Sequence, residues 1–166
     1  MGPVQDFGNF MNAVIDRSSF DNAKRYIDRA RTASDAEIVC GGGCDDSTGF
    51  FIEPTLIVAE DPQYESMVEE IFAPILSAYI YDDDHYDQIL DVCDRTSIYA
   101  LTGSVFARDR YAVMRAVDRL RHAAGNFYIN DKPTGSVVGQ QPFGGSRGSG
   151  TNDKAGSILN LPRWTS

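Results

Sequence analysis

Apolar residues along this chain alternate between helical spacing and the short runs that are typical of β-strands. The first helix is predicted to have Ser18 or Ser19 as its cap and to bury Phe20, Ala23, Ile27 and Ala30. Strands are predicted at Glu37–Cys40, Phe50–Ala59, Ile75–Tyr81, Leu101–Ala107 and Asn126–Asn130, and further helices at 84–95 and after Asp109. Strands that alternate with helices in this way indicate an α/β fold, with a largely parallel sheet covered by helices.

Three local features refine these elements. Pro54 predicts an edge position or a bulge in the second strand, because proline has no N–H to donate to a neighbouring strand. The acidic run 82–84 places negative charge at the start of a helix, which the helix dipole favours, and this interpretation outweighs a metal site. The helix capped by Asp109 is expected to bury one apolar side, formed by Val113, Met114, Val117 and Leu120.

Composition sets the class of protein. A chain of 166 residues with 42% hydrophobic content is expected to form one soluble domain over residues 1–166. Its formal net charge of −9 argues against nucleic acid or an anionic membrane surface as a partner. No apolar run approaches the length of a transmembrane helix, and the first ten residues lack the basic-then-apolar order of a signal peptide.

The cysteines predict neither a metal site nor a disulfide framework. Cys40 and Cys44 flank a glycine triplet, and neither His85 nor His122 completes a zinc ligand set with them. A disulfide between Cys40 and Cys44 remains open, although an odd cysteine count favours free thiols. Neither residue has a nearby base in the sequence, so no nucleophile is indicated, and a partner brought close by the fold also remains open.

A long loop, Gly125–Asp153, follows the last predicted strand. Irregular loops of about twenty residues are uncommon in compact domains and are usually functional or disordered. This loop is rich in glycine but also carries apolar residues, which leaves two interpretations, an ordinary connection or a substrate loop. Within it, the backbone N–H groups and hydroxyl of Thr134–Gly135–Ser136 could hold a carboxylate, or could form a plain turn.

The segment Glu69–Pro74 is the second candidate for chemistry. Adjacent glutamates cannot face each other across a substrate, so Glu69 and Glu70 are not an acid/base pair of the glycosidase kind. One carboxylate could accept hydrogen bonds from a sugar hydroxyl while Phe72 packs on a ring. The alternative is an exposed acidic turn.

These motifs resemble those of a known family. The segment NFYINDKPTGSVVGQQPFGGSRGSGTNDKAG resembles the signature of 1-pyrroline-5-carboxylate dehydrogenases, in the aldehyde dehydrogenase superfamily. EEIFAP resembles that superfamily's cofactor-ribose motif, with Ala73 where a glycine is usual, and Tyr99–Leu101 resembles a Tyr-Gly-Leu element with Ala100 in place of glycine. DFGNFMNAVID and GGGCDDSTGFFIEPTL are also similar, so the resemblance covers essentially the whole chain.

The resemblance implies the C-terminal part of the catalytic domain of an NAD-dependent dehydrogenase. Such enzymes oxidise L-glutamate γ-semialdehyde, formed from 1-pyrroline-5-carboxylate, to L-glutamate in proline catabolism. By motif, Glu70 would bond the nicotinamide ribose and Phe72 would pack nearby. Gly135 and Ser136 would hold the substrate's α-carboxylate, and Phe143 would line the aldehyde pocket.

The resemblance also implies what this chain does not contain. The family's nucleophilic cysteine and Gly-rich cofactor domain lie upstream of the DFGNF region, so we expect no catalytic residue here and no activity from this chain alone. The full-length protein would be a homo-oligomer acting on a small molecule, cytoplasmic in bacteria and in the mitochondrial matrix in eukaryotes. Two alternatives stay open. One is a stand-alone, non-catalytic domain that binds an amino acid or a protein partner through the 125–153 loop. The other is a drifted enzyme in which Ala73 and Ala100 mark a changed cofactor site.

Overall fold

A computed structural model of the chain describes residues 1–133, 136–137 and 139–165. The chain folds into two units, Met1–Ile80 and Tyr81–Ser166. Each unit has its own helices and strands and is described by itself. The expectation of a single domain over residues 1–166 stays a prediction.

The first unit contains a helix followed by short strands. Its elements are α1 (Arg17–Thr32), β1 (Ala36–Cys40), β2 (Cys44–Asp45), β3 (Phe51–Ile52), β4 (Thr55–Ala59), α2 (Glu65–Val68) and β5 (Ile75–Tyr79). Strand β4 lies at the centre of a sheet ordered β1-β4-β5. Its Thr55, Ile57 and Ala59 are buried, and α1 packs against this sheet and the β2–β3 hairpin.

Helix α1 begins earlier than predicted, because Asp16 and neither Ser18 nor Ser19 is its cap. The backbone of Asp16 is extended, and its carboxylate accepts a hydrogen bond from the Ser19 N–H at 2.7 Å. These hydrogen bonds from Ser19 hold the pKa of Asp16 below its ordinary value. The predicted buried face is confirmed, and Tyr26 joins it at 3% exposure.

The predicted strand Phe50–Ala59 is two strands, β3 and β4, with Pro54 between them. A proline cannot donate to a sheet ladder, so pairing stops at this residue. The side chain of Thr55 supplies hydrogen bonds here in place of the ladder. Its hydroxyl accepts the Gly42 N–H at 2.9 Å and donates to the Glu53 carbonyl at 2.7 Å. The edge position predicted for this segment is therefore wrong for β4, which is central.

The second unit places its helices between strands. A 3-10 turn at Asp83–His85 leads into α3 (Tyr86–Arg95), followed by β6 (Tyr99–Ala100), β7 (Thr102–Val105), α4 (Arg110–Leu120), β8 (Asn126–Ile129), β9 (Ser146–Arg147) and a 3-10 helix at Ile158–Trp164. Strand β7 pairs with β8, and β6 pairs with β9. No helix within the described ranges is long and apolar enough to cross a membrane.

The predicted α/β class is confirmed, but the pairing is mixed instead of largely parallel. The β4–β5 and β7–β8 pairs are parallel, while β1–β4, β2–β3 and β6–β9 are antiparallel. The connections explain this result, because parallel neighbours need a crossover and antiparallel neighbours need only a return. Helices α2 and α4 make the two crossovers, whereas only the β2–β3 hairpin lies between β1 and β4.

The cap of α4 is confirmed and its buried side is partly wrong. The Asp109 carboxylate accepts the Tyr111 N–H at 2.8 Å. Leu120 is buried as predicted, but Met114 is 57% exposed and Ala116 is fully buried in place of Val117. The reason is the contact with α3, where Leu90 packs with Ala116 and Leu120 in one core cluster. The ion pairs of Arg115 with Asp87 and of Arg119 with Asp91 are exposed and contribute little.

Candidate functional site

The segment between α2 and β5 is held against α1 by side chains of the first unit. The buried phenol of Tyr26 donates a hydrogen bond to the Glu69 carboxylate. Asn22 donates its side-chain N–H to the Ile71 carbonyl at 3.4 Å. Burial, and then the hydrogen bond to Glu69, raises the pKa of the Tyr26 phenol. Glu69 therefore anchors the segment.

Glu70, the predicted ribose-binding residue, has different surroundings from its neighbour. Its side chain is exposed, and within the described part of the chain it makes no hydrogen bond or ion pair. A free carboxylate is an acceptor only, with capacity for two hydroxyl donors. Glu70 therefore has the chemistry and the access that a sugar diol requires, and its role stays a prediction.

Phe72 has an unusual backbone for an aromatic residue. Its φ is 56°, in the left-handed region, and its ring is 88% exposed. Such a conformation costs a residue with a Cβ about 1–2 kcal/mol, and outliers of this kind cluster at ligand sites. The next residue, Ala73, packs against the core cluster of Phe20, Ala23, Ile27 and Ile52. The turn therefore directs Phe72 outward, and the packing of Ala73 against the core holds the turn in place. The exposed ring of Phe72 is accessible to a planar ligand group.

The loop that follows β8 is tied at both ends to that strand. Asn126 donates to the Pro142 carbonyl at 3.0 Å and accepts the Gly144 N–H at 3.2 Å. The Tyr128 hydroxyl lies 2.9 Å from Ser136 Oγ and donates to Gln141 Oε1 at 3.1 Å. Because Asn126 and Tyr128 are two positions apart, both project from the same face of the strand. Ser136, Gln141, Pro142 and Gly144 are thus all held against β8.

Only part of the predicted carboxylate site is described. Ser136 is half-buried, with Tyr128 at 2.9 Å and the Asn126 side-chain nitrogen at 3.5 Å. Gly135, the other predicted contact, lies outside the described residues, as do Thr134 and Val138. The carboxylate-binding role of Gly135 and Ser136 stays a prediction.

Phe143 lies where the loop returns to the body of its unit. It is half-buried, and its N–H donates to the Ala155 carbonyl at 3.1 Å. Immediately after it, the backbone crosses close to Gly125, where an added Cβ would lie 1.8 Å from the Gly144 carbonyl oxygen. Lys154 completes the crossing by donating to the Gly125 carbonyl at 2.9 Å. Phe143 is therefore well positioned, and its contact with an aldehyde stays a prediction.

Ala100, which stands where the related motif has glycine, is fully enclosed. It is 2% exposed, and its N–H donates to Ser149 Oγ at 3.0 Å. Its carbonyl accepts the Gly125 N–H at 2.9 Å. The methyl group of this alanine is therefore part of the packing at the loop crossing.

The thiols do not resemble nucleophiles. Cys40, Cys44 and Cys93 are all free. Burial raises the pKa of the Cys44 thiol, although Lys24 and Arg31 partly oppose the effect, whereas a nucleophilic cysteine needs a lowered pKa. Across the described ranges, no cluster of three or more His, Cys, Asp and Glu side chains is arranged to hold a metal ion.

Comparison with known proteins assigns this α/β chain to one class of protein. The chain belongs to the aldehyde dehydrogenase family, whose model matches residues 1–165. It is 60% identical over 166 residues to the mitochondrial delta-1-pyrroline-5-carboxylate dehydrogenase of Dictyostelium discoideum. It is 54% identical over 164 residues to the human mitochondrial enzyme of the same name.

Solved structures give the same result. The delta-pyrroline-5-carboxylate dehydrogenase of Mycobacterium tuberculosis matches 99% of this chain with a TM-score of 0.90 and 56% identity. The form of that protein bound with NAD matches with a TM-score of 0.88 and 55% identity. The alignment with the Dictyostelium relative includes all of this chain but only 30% of the relative. This chain likewise spans 30% of each Mycobacterium structure.

Sequence reasoning missed the residues that hold the two candidate segments. Asn126 and Tyr128 were read only as part of a strand, although the polar residues at 126, 128 and 130 alternate and so mark one polar face. Tyr26 gave no such signal, because its partner Glu69 lies 43 positions away.

Proposed function

We propose that this chain is part of an NAD-dependent dehydrogenase that oxidises L-glutamate γ-semialdehyde to L-glutamate. The observation that carries the proposal is the close similarity, along essentially the whole chain, to relatives named for this activity. The fold geometry agrees with it, since one unit presents a free carboxylate beside an aromatic ring and the other presents an ordered polar loop.

Glu70 and Phe72 are the proposed contacts to the cofactor. The Glu70 carboxylate would accept hydrogen bonds from the two hydroxyls of the nicotinamide ribose, and the exposed ring of Phe72 would pack beside it. NAD, when bound, supplies the acceptor for the hydride. What this chain contributes is the orientation of the cofactor, which depends on the anchoring of the turn by Glu69.

Ser136, Gly135 and Phe143 are the proposed contacts to the substrate. A hydroxyl and backbone N–H groups are donors that suit the α-carboxylate of glutamate semialdehyde. Phe143 would supply an apolar wall for the aldehyde end. The strand β8 holds Ser136 and the returning chain together, so both contacts would be presented by one support.

The nucleophile would lie outside these residues. Burial raises the pKa of the Cys44 and Cys93 thiols, which is the opposite of what a nucleophile needs, and Phe7 and Phe10 are 98% and 97% exposed. Exposed apolar residues concentrated in one segment, as at Val4, Phe7, Phe10 and Ile15, are typical of a surface that another part of a protein covers. We therefore propose that the chain forms one part of a catalytic domain, which a further segment completes, and that it is inactive alone.

The remaining properties follow from the same proposal. The full-length protein would be a homo-oligomer that binds a small-molecule substrate, without nucleic acid or membrane as partner. It would reside in the mitochondrial matrix in a eukaryote and in the cytoplasm in a bacterium.

The first experiment measures the intact mass of the native polypeptide that contains this chain, which is called here the full-length protein. A mass several times 18.3 kDa supports a larger enzyme. NADH formation from 1-pyrroline-5-carboxylate by the full-length protein would then support the proposed reaction. A native mass near 18.3 kDa, or NADH formation by these 166 residues alone, would overturn the proposed division of the active site. The first of these results would leave a non-catalytic binding domain.

A further inference from the structure

The hydroxyl of Tyr128 lies between two possible partners. Ser136 Oγ is 2.9 Å away and Gln141 Oε1 is 3.1 Å away. A phenol has one hydrogen to donate, and an amide oxygen can only accept. When Tyr128 donates to Gln141, the hydrogen bond with Ser136 therefore requires Ser136 to donate to Tyr128.

That arrangement uses up the hydrogen that a carboxylate needs. A carboxylate accepts only, so Ser136 has to direct its own hydrogen toward a bound carboxylate. Ser136 Oγ is then free to accept from the protein side. Tyr128, at 2.9 Å, is the nearer donor to that oxygen, since the Asn126 amide donates one hydrogen to the Pro142 carbonyl at 3.0 Å and reaches Ser136 Oγ with the other only at 3.5 Å.

We propose that Tyr128 is a positioning residue for the substrate carboxylate, which donates to Ser136 when the substrate is bound and to Gln141 when it is not. The proposal rests on the proposed function and assigns a role to a residue that the sequence motifs did not single out. Tyr128 acts through Ser136 and does not itself touch the substrate.

Hydrogen bonds on either side of Ser136 allow Tyr128 to change its acceptor without a movement of the backbone. Asn126 uses both ends of its amide, donating to the Pro142 carbonyl and accepting the Gly144 N–H, and so fixes the returning chain. The backbone N–H groups of Gln140 and Gln141 donate to the Val137 carbonyl at 2.9 and 3.1 Å, which closes a turn beside Ser136. With both ends fixed, only hydroxyl hydrogens need to rotate.

The decisive test is Tyr128→Phe in the full-length protein. We expect the KM for glutamate semialdehyde and the inhibition constant of L-glutamate to rise about tenfold, because Ser136 loses the donor that directs its own hydrogen toward the carboxylate. The KM for butanal, which has no carboxylate, and the Kd for NAD should stay unchanged. A merely structural role would move all four values together.

Tyr86→Phe is the matched control. It removes the same hydroxyl, which donates to the Ala112 carbonyl at 2.9 Å between α3 and α4, and should change stability without favouring one aldehyde over the other. Gln141→Met should change the KM for the semialdehyde in the opposite direction to Tyr128→Phe. It removes the competing acceptor, so the KM for the semialdehyde should fall by about twofold to threefold.

The outcomes separate the two proposals. An unaltered full-length protein that does not oxidise the semialdehyde overturns the proposed function, and this inference with it. If the enzyme is active but Tyr128→Phe leaves the ratio of the KM values for the semialdehyde and butanal unchanged, only the inference is overturned. If Tyr128→Phe fails to fold, Gln141→Met decides, because a higher KM for the semialdehyde contradicts the exchange.

Discussion

The hydroxyl of Tyr26 donates to the carboxylate of Glu69, while the adjacent carboxylate of Glu70 has no partner in the described part of the chain. Two exposed residues of identical chemistry thus differ in whether they have a partner. One is tied to a buried phenol and the other is left in solvent. Substitution should separate them into a structural carboxylate and a binding carboxylate.

Replacing Glu70 with Gln should weaken cofactor binding without affecting folding. The neutral amide is a poorer acceptor for sugar hydroxyls, so the Kd for NAD of the full-length protein should rise about tenfold. The melting temperature should stay within error, because no contact within the described residues is lost. Isothermal titration and thermal unfolding on the same sample check both statements. A lowered melting temperature with unchanged Kd would contradict the assignment.

Removing the Tyr26 hydroxyl should lower stability more than it weakens NAD binding, in contrast to Glu70→Gln. Tyr26→Phe leaves Glu69 without its donor and should lower the free energy of unfolding of the full-length protein by about 1 kcal/mol. Urea denaturation measures this change, with Tyr111→Phe as the control, since Tyr111 is 76% exposed. Any loss of NAD affinity should be smaller than that of Glu70→Gln. Equal stability of the two tyrosine variants would show that the contact contributes nothing.

The crossing of Gly125 and Gly144 should not tolerate a side chain. In Gly125→Ala the new Cβ would lie 1.8 Å from the Gly144 carbonyl oxygen, so the backbone has to move. We expect a loss of about 1–3 kcal/mol in stability and a higher KM for the semialdehyde, because the displaced chain carries Phe143. Gly139→Ala is the control, since it has a φ of 80° but nothing within 4 Å. Its cost should be backbone strain alone, and equal KM values for the two variants would contradict the steric argument.

The cap of α1 should make stability depend on pH in a predictable direction. The Asp16 pKa lies below its ordinary value of 3.8 in the folded chain, because the carboxylate accepts hydrogen bonds from Ser19. A carboxyl with a lowered folded pKa stabilises the fold above its unfolded pKa, and this contribution is lost as the pH falls through the folded value. Asp16→Asn keeps the acceptor but does not titrate. Its melting temperature should therefore fall less than that of the unaltered protein when the pH drops below 3.8, and parallel curves would refute the assignment.

The cysteines should be dispensable for catalysis. Replacing Cys40, Cys44 and Cys93 together with Ser in the full-length protein should leave kcat within about twofold, since burial raises the pKa of the Cys44 and Cys93 thiols and no base lies near Cys40 in the sequence. The Cys44 thiol should also react with iodoacetamide more slowly than that of exposed Cys40. Loss of kcat by orders of magnitude would place the nucleophile in this chain after all.

Local chemistry in the sequence predicted the features that depend on neighbouring residues. Asp109 caps α4 because an acidic residue just before an apolar periodic segment satisfies N–H groups within its own turn. The buried face of α1 followed from helical spacing in the same way. The family resemblance supplied the candidate contacts Glu70 and Ser136, which the physics of the residues alone could not have distinguished from ordinary turns.

Features that depend on distant partners were not predictable. Met114 fits the helical spacing but is exposed, because the apolar contact with Leu90 of α3 covers the side of α4 that carries Ala116 and Leu120. The choice of Asp16 over Ser18 depends on an extended backbone just before the helix, which spacing does not show. The anchoring of Glu69 by Tyr26 and of Ser136 by Tyr128 likewise depends on which strands and helices become neighbours.

The parallel pairing of β7 with β8 has a consequence for the loop that follows it. Asn126 pairs with Thr102 and Tyr128 with Ser104 along the ladder, and this alignment turns both polar side chains to the loop. A slip of one residue would turn Phe127 and Ile129 toward the loop instead, because side chains alternate between faces. The positions of Ser136 and Gln141 beside Tyr128 therefore depend on strand alignment, and a mutation on β7 that favours slippage should abolish the proposed carboxylate recognition without changing any residue of the loop.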